Sequence, residues 1–176
     1  SQIAYSFPAR FFNRIGATEV DPDSVCNKAG HEALRMIFGS SLDGFDPRTA
    51  RESKSILIWG ANPSVAAPHA HRNWLRELRQ HATVVVIDPI RHKTAEMAHV
   101  HLQPQPGTDA ALAFALLNVM RREALLDERF LAHHVDGWAE VEAKLDTCTP
   151  VWAETVTRVP AALIEKTALI YGQGPS

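Results

Sequence analysis

Two short, unbroken apolar runs stand out along the chain, residues 55–59 (Ser-Ile-Leu-Ile-Trp) and residues 83–87 (Thr-Val-Val-Val-Ile). Continuous rather than alternating apolarity marks strands covered on both faces, as in a parallel sheet. Between them, residues 68–81 carry Trp74, Leu75 and Leu78 at helical spacing, which predicts a βαβ unit with a right-handed crossover. A second helix is predicted from Thr108 and Asp109, either of which can cap it, to Arg121 and Arg122; its near all-round apolarity implies burial. From Asp127 onward the pattern breaks at Gly137, Thr149-Pro150 and Val159-Pro160, giving several short helices and no evident strand. Residues 39–51, with Gly44 and Pro47, read as a polar loop, the segment expected to be most mobile. That loop divides a helical N-terminal third from the βαβ region. No internal repeat or low-complexity segment is present.

Composition narrows the class. At 176 residues, 45% hydrophobic and 22% charged, the chain has apolar material for one ordinary globular domain, residues 1–176. A formal net charge of −2, with both signs interspersed, leaves no footprint for nucleic acid or an anionic membrane. No apolar run approaches a membrane span, and the first residues lack the charged-then-apolar order of a signal peptide. Cys26 and Cys148 are far apart and form no CxxC pair, so neither a disulfide framework nor a zinc knuckle is indicated; a reducing, cytoplasmic compartment fits best.

The candidate chemistry sits where apolar runs end in tight turns: Gly60-Ala61-Asn62-Pro63, Asp88-Pro89 and Pro106-Gly107-Thr108-Asp109. The C-terminal edge of an open parallel sheet is where nucleotide-like ligands bind, and three such edges suggest one long ligand laid across it. Gly60 ends a strand and permits close backbone approach, and Asn62 offers an amide donor and acceptor beside a helix start, suited to a diphosphate or sugar. Asp88 can accept from a ribose or a guanine edge, and Gly107, Thr108 and Asp109 repeat that logic. Plain turn chemistry explains each residue taken singly; the joint pattern favours a ligand. The expected fold class is therefore α/β: a three-layer α-β-α arrangement with a mostly parallel, Rossmann-like sheet and a helical C-terminal tail.

The strings WGANP, VVVIDPIRHKTAEMAHVHL, QPGTDAALAFALLNVM and LLDERFLAHHVDGW, in that order and spacing, resemble the dinucleotide-binding domain of the molybdopterin oxidoreductases that carry bis-molybdopterin guanine dinucleotide. These are the formate dehydrogenases, nitrate reductases and dimethyl sulfoxide reductase, and the resemblance runs over about residues 16–171. It implies that Gly60, Asn62, Asp88, Pro89, Arg91, Gly107, Thr108 and Asp109 hold one of the two dinucleotides, with Asp88 and Asp109 contacting guanosine. In the formate dehydrogenase branch a cysteine or selenocysteine that ligates molybdenum precedes the loop glycine at nearly the spacing of Cys26 from Gly60. The role implied for Cys26 is metal ligand and catalytic residue, consistent with a soft thiolate kept deprotonated by the metal. Cys148 has no such register and reads as structural.

The resemblance further implies a parent enzyme that moves an oxygen atom, or hydride and electrons, on a small-molecule substrate. Such a parent has an electron-transfer partner, further domains and, in the N-terminal region, an iron–sulfur cluster. The chain is expected to be an excised internal piece that folds without turning over.

Several positions depart from the family pattern. Asn27 stands where formate dehydrogenases place a histidine, and it cannot shuttle a proton near neutral pH. Ile90 replaces the arginine after the DP dipeptide, with Arg91 one position on, and His99 replaces an aspartate. Among the histidine pairs, His99 and His101 would share a strand face, yet no third or fourth ligand is found at zinc spacing. Trp59, Trp74 and Phe114 read as core, and Arg76, Arg79 and Lys93 as solvated surface. Three alternatives remain: a cofactor-free structural relative of the same fold, against which Cys26 and the three turns argue; a nicotinamide or flavin domain, against which the missing G-x-G-x-x-G argues; and a metal-independent interaction module, which an absence of nucleotide affinity would mark.

Overall fold

The computed structural model describes residues 2–18, 27–41 and 47–175. Contacts divide the chain into two compact units, residues 1–46 and 47–176, and the division falls in the polar loop between the helical third and the βαβ region. The first unit contains helices α1 (Gln2–Arg14) and α2 (Lys28–Phe38). Helix α2 ends at left-handed Gly39, whose N–H donates to the Arg35 carbonyl at 2.8 Å, a closure that glycine makes without a Cβ penalty.

The second unit begins with a 3₁₀ turn, Pro47–Glu52. Its three strands, β1 (Ser55–Trp59), β2 (Thr83–Ile87) and β3 (Val100–Leu102), form one parallel sheet in that spatial order. The β1–β2 crossover comprises short helices α3 (Pro63–Ala66) and α4 (Pro68–Ala70), a π-helical turn (His71–Leu75) and α5 (Arg76–Leu78). Helix α6 (Lys93–Glu96) joins β2 to β3. After β3 come α7 (Asp109–Arg122), α8 (Glu128–His134), α9 (Trp138–Leu145), α10 (Pro150–Thr157) and α11 (Ala161–Gly172). Both strands expected from the apolar runs, the buried helix and the breaks in the tail stand at the expected places. No helix among the described residues is long and apolar enough to cross a membrane.

The unbroken Val-Val-Val-Ile run has a simple cause: β2 is the central strand, and all four residues are at most 1% exposed. Val85 and Ile87 join Leu112, Leu116 and Val119 of α7 and Ile164 and Ala168 of α11 in one core, while Val84 and Val86 join Leu75 and Ala95 in another. The two cores lie on opposite faces because successive strand side chains point oppositely. The three-layer α-β-α arrangement follows: the crossover and α6 cover one face, and α7, α10 and α11 the other.

One helix contact reverses an ordinary expectation. Glycine near a helix end normally gains up to about 1 kcal/mol on replacement by alanine. At Gly172, however, an added Cβ would lie 2.8 Å from Leu125 Cδ1 and 2.9 Å from Leu125 Cβ. Gly172→Ala should therefore destabilise the chain by about 1–2 kcal/mol, read as a lower urea midpoint at unchanged slope. A midpoint at or above that of the unsubstituted chain would show that Leu125, just beyond α7, and α11 are not packed this closely.

Candidate functional site

All three turns lie at the C-terminal edge of the parallel sheet, and the backbone ties them together. The Gly60 N–H donates to the Ile87 carbonyl at 2.9 Å, and the Asp88 N–H donates to the Leu102 carbonyl at 3.0 Å. The first and third turns meet through a side chain, the Trp59 indole N–H donating to Asp109 Oδ1 at 2.7 Å. Gly60 and Gly107 have φ of +59° and +84°, with nothing within 4 Å of a hypothetical Cβ. The left-handed backbone is thus what favours glycine at both positions, and the space above it is open.

Asn62 occupies the N-cap position of α3, and its side chain is held from across the crossover. The Ser64 N–H donates to Thr94 Oγ1 at 3.1 Å, which leaves the Thr94 hydroxyl to donate to Asn62 Oδ1, also at 3.1 Å. The Ser64 hydroxyl donates to the same oxygen at 2.6 Å. Two donors on Oδ1 fix which way the amide faces, so its Nδ2 hydrogens are the pair left for a ligand. Thr94 itself is fully buried.

Asp88 is held from three sides. Its Oδ1 accepts from the Ile90 N–H at 2.7 Å, an Asx turn that shapes the Asp88-Pro89 bend. His101 Nε2–H donates to the Asp88 carbonyl at 2.9 Å. His92 Nδ1 accepts from the Ala95 N–H, capping α6, and its Nε2 lies 3.4 Å from Asp88 Oδ2 without a hydrogen bond to it. Pro89 and Arg91 are exposed beside the bend, and Gln103 Nε2–H donates to the Pro89 carbonyl at 3.1 Å.

The third turn hangs on Gln105, whose N–H donates to the Thr157 carbonyl at the end of α10 and whose carbonyl accepts from the Thr108 N–H. Thr108 takes the N-cap position of α7, but its hydroxyl donates back to the Gln105 carbonyl at 2.6 Å instead of capping the helix. Asp109 stands in the first turn, where a carboxylate complements the helix dipole. Gly60, Gly107 and Asp109 are all exposed, so the edge is an open shelf.

Eight of the nine site residues expected from sequence, all but Cys26, thus lie at one sheet edge. Cys26 lies outside the described residues. Trp59, His92, Thr94, His101 and Gln105 position the edge although the sequence reading gave none of them that part. His99 and His101 do not form a ligand pair: Val84 N–H donates to His99 Nδ1, whereas His101 serves Asp88. Among the described residues no group of three or more His, Cys, Asp or Glu is placed to hold a metal.

The chain has known relatives. The family model for molybdopterin oxidoreductase matches residues 4–176. This chain belongs to the molybdopterin oxidoreductase family. Within that family it is 30% identical over 164 residues to probable oxidoreductase YoaE of Bacillus subtilis, covering 93% of this chain and 24% of that protein. It is 31% identical over 167 residues to the assimilatory nitrate reductase of Haloferax mediterranei, covering 91% and 23%. The F420-dependent formate dehydrogenase 1 subunit alpha of Methanococcus maripaludis is 30% identical over 167 residues, with 92% and 25% covered. The chain therefore spans about a quarter of the length of the molybdopterin oxidoreductases it matches. Acetylene hydratase from Pelobacter acetylenicus shares the fold, with a TM-score of 0.66 at 24% identity over 95% of this chain and 23% of that one. Molybdopterin is the cofactor the family implies.

Proposed function

We propose that this chain is the guanine-dinucleotide-binding domain of a larger molybdenum-dependent oxidoreductase. The observation that carries this reading is the convergence of Gly60-Asn62, Asp88-Pro89 and Gly107-Asp109 on one tied edge of a parallel sheet. The donor set fits a guanine dinucleotide: amide hydrogens on Asn62 and the first backbone N–H groups of α7 for a diphosphate, and carboxylates on Asp88 and Asp109 for ribose hydroxyls or the guanine N–H edge. Arg91, exposed beside Asp88, supplies a cation for phosphate. An open shelf suits half of a site, the remaining contacts and the exclusion of water coming from other domains of the parent.

In the parent, the bound cofactor supplies oxygen-atom or hydride and electron transfer on a small molecule. This domain's residues bind, orient and neutralise. Cys26 is assigned as the molybdenum ligand by family resemblance, and the electron-transfer partner and any iron–sulfur cluster belong to the parent's other regions. No G-x-G-x-x-G follows either long strand, which disfavours a nicotinamide or flavin domain.

Titrating the 176-residue chain with guanosine diphosphate should give saturable amide shifts at Gly60, Asn62, Asp88 and Gly107 to Asp109, and weaker ones with adenosine diphosphate. Saturable shifts confined to other regions, or none, would remove the assignment. For Cys26, the full-length protein from a host that makes the cofactor should contain molybdenum and guanine dinucleotide, and Cys26→Ala should lose most dye-linked activity. Full activity in that variant would take the metal-ligand role away.

A further inference from the structure

A second concave site lies between the β1–β2 crossover and α6. It occupies about 400 Å³ and is lined by His71 of the π-helical turn, Arg76 of the crossover's last helix, Arg79 just after it, and Lys93, Glu96 and Met97 around α6. Read along the sequence, the cations are scattered and solvated; the fold gathers them. Arg79 stands just before β2 begins at Thr83, and Met97 just before β3 begins at Val100. Arg79 and Met97 thus lie toward the strands' N-terminal ends, while Lys93, beside Thr94, opens α6 at the end that carries Asn62 and Asp88.

Three features favour a binding site over a merely charged surface. First, Arg76, Arg79 and Lys93 have no ion-pair partner among the described residues, and Glu77, the nearest carboxylate in sequence, is 3.7 Å from Arg51 instead. Three cations against Glu96 leave two uncompensated positive charges, which matches a phosphate dianion. Second, His71 Nε2 is enclosed and makes no hydrogen bond to the protein, which leaves it available to a bound group. Third, the volume exceeds what a bare phosphate needs, and Met97 supplies an apolar wall for an organic remainder.

We infer that this cavity binds a small phosphorylated molecule, its phosphate held by Arg76, Arg79 and Lys93 with His71 Nε2–H as the enclosed donor. The inference stands independently of the nucleotide reading of the shelf. Burial, then Arg76 and Lys93, hold the His71 pKa below its ordinary value of 6.5. The groups facing the imidazole are therefore those two cations with Arg79, and Glu96 as the single anion. A bound dianion opposes that depression. Sulfate, dianionic throughout, should accordingly bind more tightly as pH falls from about 8 to about 6, because His71 is neutral at the upper end and gains charge at the lower.

The test is titration of the 176-residue chain with glycerol 3-phosphate, with inorganic phosphate and with sodium chloride at matched ionic strength, following the His71 ring resonances. Saturation by glycerol 3-phosphate, more tightly than by phosphate, is expected; equal affinities would identify free phosphate as sufficient and overturn the organic-ligand part. Arg76→Gln and Lys93→Gln, both at exposed positions, should each weaken binding about tenfold. Glu96→Gln should tighten it. Linear shifts reproduced by chloride, or binding unchanged in the Arg76→Gln/Lys93→Gln double variant, would overturn the site. Saturable shifts at Gly60 and Asp88 without a His71 response would place the phosphate on the shelf and equally overturn it.

Discussion

Leu112→Ala is expected to lower the stability of the second unit by about 3–5 kcal/mol. Leu112 sits one turn into α7 and is fully buried, in the core formed by Val85, Ile87, Val100 and Leu102 below and Ala153, Ile164 and Ala168 beside it. Removing the isobutyl group loses its transfer energy and leaves a void bounded by sheet on one side and two helices on the other, neither free to collapse. Against a typical domain stability of about 5–15 kcal/mol, the loss is large, and the urea midpoint should fall accordingly. Ala113, exposed on the next position, supplies the contrast, since Ala113→Ser should change the midpoint by no more than about 0.5 kcal/mol. Equal midpoints for the two variants would mean that α7 does not face the sheet through Leu112.

The second large effect is expected at Thr94. Thr94→Val keeps the volume but deletes the hydroxyl that accepts from the Ser64 N–H and donates to Asn62 Oδ1. A buried N–H left unpaired costs about 1–3 kcal/mol, and the Asn62 amide keeps only the Ser64 hydroxyl to hold it. Two separate readouts should therefore move: the unfolding midpoint, and guanosine diphosphate affinity at the shelf, by about tenfold. Thr94→Ser restores the hydroxyl and should recover the affinity while remaining somewhat less stable through the lost methyl. If the serine variant binds as poorly as the valine one, Thr94 acts by packing alone.

The strands and helices were legible because their signals are local. An unbroken Val-Val-Val-Ile run is the signature of a central strand, and Gly137, Thr149-Pro150 and Val159-Pro160 mark the breaks between tail helices, with Gly137, Thr149 and Pro160 each taking the N-cap position of the next helix. Site residues that shape turns, such as Gly60, Asp88 and Gly107, were legible for the same reason. What was not legible depends on register between distant segments. Thr94 meets Asn62 from 32 positions away and Trp59 meets Asp109 from 50, and no spacing rule announces such pairs. The cavity cations illustrate this most clearly, since Lys93 joins Arg76 and Arg79 only because β2 lies between them and returns the chain to the same face.

The all-parallel pairing also governs the order in which this fold can assemble. Ser55 pairs with Thr83, 28 positions later, and Val85 with Val100, 15 positions later, so no hairpin can nucleate the sheet. Each ladder must first close a loop whose entropy is lost before any strand contact compensates it. Helix α7 has no such requirement. The sheet must therefore form late, and chains emerging from a ribosome hold β1 unpaired until the crossover and β2 have followed it out.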